Sequence, residues 1–447
     1  MRNILIIGAG RSATACIKYV LEKAKEYNWF VTVADANPAM AEAKVNNHPN
    51  GRGTWLDVAK TNDRRELIGR ADVIVSLLPA HLHIEVAQDC ITLKKHLITA
   101  SYVSSSLYSM TEEARSRQIL IMGEMGLDPG IDHMSAMQKI NQIKREGGKI
   151  TAFRSYTGGL VAPESDDNPW HYKISWSPRN VVLAGQGTAQ FLENNKFKYI
   201  PYNRLFKEYR LIDVPGYGPY EVYANRDSLL YREVYGLSGI PNILRGTIRA
   251  RGFCDAWNAL IKIGLTDSSF PIIDSDKITF HELMDAYLSP SDQDTGSVKD
   301  RIATLLGETP NSPVMKKLDW LGLFRKKKIK LPNATPSLIL EQLLVDRWAL
   351  KPQDKDMVIM QHEFEYEKGG KQHHLTSTLA MKGENAEDTA MSKLVGLPLG
   401  IFVKLVMQGR ITSTGVNIPV MPEVYEPVME ELATYGVRFE EREKVKP

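Results

Sequence analysis

Residues Arg2 to Ala15 run Arg-Asn-Ile-Leu-Ile-Ile-Gly-Ala-Gly-Arg-Ser-Ala-Thr-Ala, and no other stretch restricts the fold of this chain so strongly. Four consecutive apolar residues, Ile4 to Ile7, suit a strand buried on both faces of a parallel sheet. Gly8-x-Gly10-x-x-Ala13 follows at once. Gly8 permits the tight turn, Gly10 lets backbone approach a pyrophosphate, and the small Ala13 lets the next helix pack on the strand. The N–H groups at the start of that helix then face the anion. A second strand, Val31-Thr32-Val33-Ala34-Asp35, ends in an acid 25 positions after Gly10. Dinucleotide sites place there the carboxylate that accepts from the adenosine ribose hydroxyls. A carboxylate repels a 2′-phosphate, and the residues that follow, Ala36, Asn37 and Pro38, supply no arginine, so NAD is expected ahead of NADP. An aspartate that only caps the next helix is the bland alternative.

The first 125 or so residues alternate strand and helix. Strands are predicted at Arg2–Ile7, Phe30–Asp35, Thr54–Leu56, Asp72–Leu77, His96–Ala100 and Gln118–Met122, with helices such as Ser12–Glu26 and His81–Thr92 between them. This spacing implies right-handed crossovers and a Rossmann-type, doubly wound parallel sheet of the α/β class. Ligands of such sheets lie beyond the carboxyl ends of the strands, which points to Asp35, Asp57, Leu78, Pro79, Ser101 and Tyr102.

A chain of 447 residues exceeds one ordinary domain. We expect a dinucleotide domain over 1–126, an α/β substrate domain over 127–250 and 351–384, and a mostly helical insertion over 251–350. The C-terminal 385–447, with one or two helices broken at Pro398, is expected to return to the first domain. Met357–Glu367 and His373–Met381 alternate apolar and polar residues around Lys368-Gly369-Gly370-Lys371, which predicts a hairpin with one wet face. The neighbouring His373 and His374 would face opposite sides and cannot act together on a metal, and no metal is expected.

The formal net charge of +3 gives no case for nucleic acid or membrane. Cys16, Cys90 and Cys254 are scattered and suit a reducing compartment. No basic-then-apolar leader and no run of about 18 apolar residues is seen, so a cytoplasmic protein is expected.

For chemistry, Asp128 between Leu127 and Pro129 is the first candidate for proton exchange, since partial burial in a domain crossing raises a carboxyl pKa. An Asx-type turn ahead of proline is its bland reading. Tyr102 can donate a hydrogen bond to substrate or simply pack. His81, His83 and His133 are further proton carriers to weigh, although a lone histidine is more often structural. Arg226 and the cluster Arg245-Gly246-Thr247-Ile248-Arg249 supply cations and a hydroxyl that suit an acidic substrate, with surface ion pairs as the alternative.

A series of motifs resembles the saccharopine dehydrogenase family, L-glutamate-forming (saccharopine reductase) branch. It comprises Ser101-Tyr102, Gly126-Leu127-Asp128-Pro129-Gly130-Ile131-Asp132-His133, Gly158-Gly159-Leu160, Ala162-Pro163-Glu164, Asp167-Asn168-Pro169, Lys173, Ser175-Trp176-Ser177, Asn225-Arg226-Asp227-Ser228 and Arg245-Gly246-Thr247. The resemblance implies a reversible oxidative deamination in which saccharopine, NAD(P)⁺ and water give glutamate, 2-aminoadipate 6-semialdehyde and reduced cofactor. It places Asp128 and Tyr102 at the reacting centre, and Ser101, Arg226, Arg245, Gly246 and Thr247 on the substrate. Gly8, Ala9, Gly10, Arg11, Ser12, Asp35, Asp57, Val58, Leu78, Pro79, Leu127, Ser175 and Trp176 become the cofactor set. Two departures matter: some fungal members carry a basic residue suited to NADP where this chain has Asp35, and a cysteine where it has Thr157. The rival readings are a carboxynorspermidine-type dehydrogenase and a nucleotide-binding scaffold without turnover. The expected partner is a small molecule, and a homodimer is allowed.

Overall fold

The computed structural model describes residues 2–289 and 296–446. The chain divides into two compact units, Met1–Ile150 with Val234–Gly236 and Tyr366–Pro447, and Thr151–Glu233 with Leu237–Glu365.

The first unit is built on a parallel sheet. Its strands are β1 (Arg2–Ile7), β2 (Trp29–Asp35), β3 (Gly51–Trp55), β4 (Val73–Ser76), β5 (His96–Thr99) and β6 (Leu120–Met122), in the order β6-β5-β4-β1-β2-β3, with Gly415–Asn417 added parallel to β6. Ile4 to Ile7 and all of β4 are buried, as central parallel strands require. The third strand begins three residues earlier than its expected start. Gly51 and Gly53 lack the side chains that carry a strand pattern, and a Cβ on Gly53 would sit 2.5 Å from Glu42 N in the helix Pro38–Val45.

The first helix opens as a short 3-10 turn, Arg11–Ala13, continues as Thr14–Tyr27 and ends on Asn28 in the left-handed region. Against it lies Ala390–Met407, one continuous helix through Pro398. Proline removes one backbone donor there, but tight packing holds the helix together: a Cβ on Gly396 would meet Cys16 N at 2.5 Å, and Gly400 faces the Tyr19 ring. This helix is long and apolar enough to cross a membrane by length and composition, although Ser392, Lys393 and Lys404 interrupt its apolar run. Of its residues, 78% are buried inside the fold.

The second unit holds a mixed sheet. Its strands β7 (Lys149–Val161), β8 (Ala189–Glu193), β9 (Lys196–Ile200), β10 (Arg210–Val214), β11 (Gly218–Ala224), β12 (Asn242–Arg249) and β13 (Asp356–Lys368) run β10-β11-β12-β7-β13, with β8 bridging β12 and β9. β12 is parallel to β7 and antiparallel to β11. Helices Phe253–Ile263, Val298–Leu306, Pro313–Leu321 and Pro336–Arg347 follow. Trp170, Tyr172, Phe253, Trp257 and Trp348 form their aromatic core, with Trp170 edge-on to three of the other rings.

β13 turns through Gly369 and Gly370, both at positive φ, into Lys371–Lys382. That strand pairs antiparallel with Glu440–Lys446. His373 meets Glu443 at 2.8 Å while His374 lies near the Thr376 hydroxyl. Among the described residues no group of three or more His, Cys, Asp or Glu side chains could hold a metal ion.

Candidate active site

The glycine turn is shaped for a dinucleotide. Gly8 sits at φ 107°, and its N–H donates to Ala34 O at 2.8 Å, while a Cβ there would press on Leu77 O at 3.0 Å. Gly10 has no atom within 4 Å of where its Cβ would stand, so the approach to its backbone is open. The Asp35 carboxylate reaches back to this turn and accepts from Ala9 N at 2.7 Å and from Asn37 N at 2.8 Å. Each of its oxygens keeps a lone pair in reserve, which fits acceptance from ribose hydroxyls. Arg11 is exposed, and Ser12 continues the turn.

Asp57 accepts from Ala59 N at 3.1 Å, closing a turn at the end of β3. The carbonyl of Val58 accepts from the buried Arg64 guanidinium, which also pairs with Asp89 at 2.7 Å and Glu85 at 2.8 Å. Leu78 is half-buried and Pro79 exposed, just beyond β4. Asp57, Val58, Leu78 and Pro79 follow the carboxyl ends of β3 and β4, where a doubly wound fold binds its ligand.

At the same edge, the Tyr102 hydroxyl donates to Asp128 Oδ1 at 3.1 Å. Asp128 tips a tight loop in which Gly126 N donates to Pro129 O and Ile131 N to Gly126 O. The peptide between Asp128 and Pro129 is cis. Gly130 must be glycine here, since its φ is 145° and a Cβ would fall 2.1 Å from Gly126 O. Leu127 is buried beneath the tip. Ser101 contacts His83 Nε2 at 2.8 Å, and the same ring meets Ser76 at 2.9 Å and Thr99 at 3.2 Å. Burial, with His81 adding to it, lowers the pKa of His83 to about 4. His83 is therefore neutral near pH 7 and holds Ser101 in place, so a proton-carrying role does not suit it. His81 is exposed.

Glu124 was not singled out in the sequence, yet it brackets Tyr102. Its N–H donates to Ser101 O at 3.0 Å, its Oε1 accepts from Val103 N at 3.1 Å, and its backbone holds φ 57° to do both. Its other oxygen lies 2.8 Å from His133 Nε2, and His133 Nδ1 lies 2.6 Å from the Tyr235 hydroxyl. His133 is fully buried and serves this chain of contacts. A non-glycine residue at positive φ was the only local signal, and it is a property of the backbone.

In the second unit, Asn225 N donates to Arg245 O and Gln190 N to Arg226 O, which ties the Arg226 loop to β12 and β8. Arg245 N donates to Ser228 Oγ at 2.8 Å, and the Arg245 guanidinium lies 4.5 Å over the Tyr231 ring. The loop and strand thus bring Arg226 and Arg245 together. Gly246 admits Val222 from the opposite face, where a Cβ would stand 2.5 Å from it, and Thr247 is half-buried. Ser175 is buried, and Trp176 Nε1 donates to the Tyr172 hydroxyl at 3.0 Å. Lys173 is buried between Asp167 and Asp354 at 2.8 and 2.6 Å.

Residues 4–122 match the family model described as the saccharopine dehydrogenase NADP binding domain, and 126–437 match the saccharopine dehydrogenase C-terminal domain. Saccharopine dehydrogenase [NADP(+), L-glutamate-forming] of Schizosaccharomyces pombe is 33% identical over 99% of this chain and 99% of its own. The Saccharomyces cerevisiae protein of the same name is 34% identical over the same shares. The structure titled apo histidine-tagged saccharopine dehydrogenase (L-Glu forming) from Saccharomyces cerevisiae superposes with a TM-score of 0.87 at 31% identity. It covers 99% of this chain and 100% of that one.

Proposed function

The chain belongs to the saccharopine dehydrogenase family, and we propose that it catalyses the reversible oxidative deamination of saccharopine to L-glutamate and 2-aminoadipate 6-semialdehyde. The observation that carries this reading is the Tyr102–Asp128 hydrogen bond at the carboxyl edge of the dinucleotide sheet. A secondary amine must lose its proton before hydride can leave the neighbouring carbon, and the nitrogen must regain a proton to depart. The Asp128 carboxylate, which accepts from the Tyr102 phenol, can take and return that proton. The bound dinucleotide supplies the hydride acceptor. The carbon–nitrogen double bond that remains adds water, and the carbon–nitrogen bond then breaks, so glutamate keeps the nitrogen and the other fragment becomes the aldehyde. Arg226 and Arg245 suit the carboxylates of such a substrate.

We assign NAD ahead of NADP. The Asp35 carboxylate, held by Ala9 N and Asn37 N, favours ribose hydroxyls and opposes a 2′-phosphate. The names of the fungal relatives carry NADP(+), so Asp35 and those names point to different cofactors. Product analysis tests the reaction: glutamate should accumulate in step with reduced cofactor from saccharopine. Cofactor reduction without glutamate would give the site to a different secondary amine.

A further inference from the structure

Arg64 lies in the helix Thr61–Gly69 with 3% of its surface accessible, and Asp89 lies in the helix His83–Thr92 with 1%. Arg64 Nε donates to Asp89 at 2.7 Å and Nη1 to Glu85 at 2.8 Å, while the other Asp89 oxygen accepts from Arg65 Nε at 2.6 Å. Two arginines and two carboxylates thus balance between the helices that follow β3 and β4. Such a cluster adds little net stability, because desolvating its buried charges offsets their attraction, and apolar side chains of like volume would hold the two helices as well. What apolar side chains cannot supply is the remaining bond. Side chains on a helix lean toward its N-terminus, and Nη1 of Arg64 also donates to the carbonyl of Val58, in the loop ahead of its own helix.

That loop stands on the adenosine side of the dinucleotide site. Leu56 N donates to Asp35 O at 3.0 Å, so the chain leaves β3 directly beside the strand end assigned to the ribose. Asp57 then turns it, its carboxylate accepting from Ala59 N at 3.1 Å and its carbonyl from Lys60 N at 3.0 Å. Val58 and Leu78 pack on one apolar cluster that includes Leu56 and Val86. Lys60, at the N-cap, gives the helix Thr61–Gly69 no side-chain cap, so capping does not fix how the loop enters it. The Arg64 bond to Val58 acts at this point.

We propose that Arg64, fixed by Asp89 and Glu85, is a positioning residue for the dinucleotide: by holding the Val58 carbonyl it shapes residues 56–60 into a wall for the adenine ring. The assignment rests on the dinucleotide reading of the glycine turn and Asp35. Loss of one charge-assisted hydrogen bond sets the expected effect at about tenfold in affinity for the adenosine half of the cofactor.

The test compares wild type, Arg64→Lys and the double variant Arg64→Met with Asp89→Leu, by calorimetric titration with 5′-AMP and by steady-state turnover. The double variant replaces the buried pair with apolar groups and leaves the exposed Arg65 to water, so its Tm should stay close to that of wild type. Its Kd for 5′-AMP should rise about tenfold. In turnover the loss should fall on the KM for NAD, with kcat and the KM for saccharopine little changed. Arg64→Lys keeps the charge between the carboxylates but loses the planar fork that also reaches Val58, so its Kd for 5′-AMP should rise by about threefold or more. If wild type turns over no saccharopine, the reaction reading falls and the titration alone decides the role of Arg64. A wild type that binds neither 5′-AMP nor NAD would overturn the dinucleotide reading and this proposal with it. A 5′-AMP Kd unchanged from wild type in the double variant would overturn the proposal and leave the dinucleotide site standing. So would a collapse of Tm in the double variant together with wild-type 5′-AMP affinity in Arg64→Lys, which would mark the cluster as a brace between two helices.

Discussion

Asp128 and Asp35 are both aspartates at strand or loop ends, and they accept from different partners. Asp128 accepts from the Tyr102 hydroxyl at the tip of a tight loop, and the proposed role of its carboxylate is proton exchange with the substrate. Asp128→Asn keeps the shape and removes the base. Turnover should fall about a hundredfold or more, while NAD affinity measured by fluorescence titration stays within twofold. An equal loss in both would place Asp128 on the cofactor instead. Asp35 is bound to the glycine turn itself. Asp35→Ala should weaken NAD more than NADP, and parallel titrations showing equal losses would contradict the ribose assignment.

His83 carries a pH signature at the same scale. Its folded pKa of about 4 lies below the ordinary value of 6.5, because burial disfavours the charged ring. The unfolded chain therefore binds the extra proton first as pH falls, and the stability His83 contributes is complete above pH 6.5 and is lost on descending toward 4. The full effect is about 3 kcal/mol. Denaturant melts of His83→Gln should start lower at pH 7 and show a flatter decline over that window. Parallel declines in the two proteins would remove His83 as the cause.

Among elements, the segment Thr99–Val103 is fixed from two sides, by His83 through Ser101 and by Glu124 through both neighbours of Tyr102. Glu124 thus acts through Tyr102. Glu124→Gln should lower kcat about tenfold with little change in KM, and adding Tyr102→Phe should cost little more than Tyr102→Phe alone. Additive losses in that double-mutant cycle would show that Glu124 matters for some other reason. This is also where reading the sequence ran out. The glycine turn, the strand of Ile4–Ile7 and the Asp35 strand end are legible because each is written in adjacent residues. The bracket around Tyr102 draws on positions 101, 103, 124, 133 and 235, and it depends on a left-handed backbone at Glu124 that its residue type does not announce. The helix Ala390–Met407 was expected to break at Pro398. Its contacts at Gly396 and Gly400 with the first helix override the local rule.

At the scale of the whole molecule, a parallel sheet with a dinucleotide turn and a mixed sheet are joined in one chain of the saccharopine dehydrogenase family. The family motifs Gly126 to His133 and Arg245 to Thr247 were legible because each meets a steric demand: Gly130 and Gly246 each stand where a Cβ would collide. The central claim is oxidation of saccharopine with NAD as acceptor. It is tested most directly by absorbance of reduced nicotinamide at mildly alkaline pH, with purified protein, saccharopine, and NAD or NADP in parallel. The account predicts turnover with NAD and much less with NADP. Turnover with NADP alone would keep the reaction and overturn the role given to Asp35, and silence with both cofactors would contradict the account.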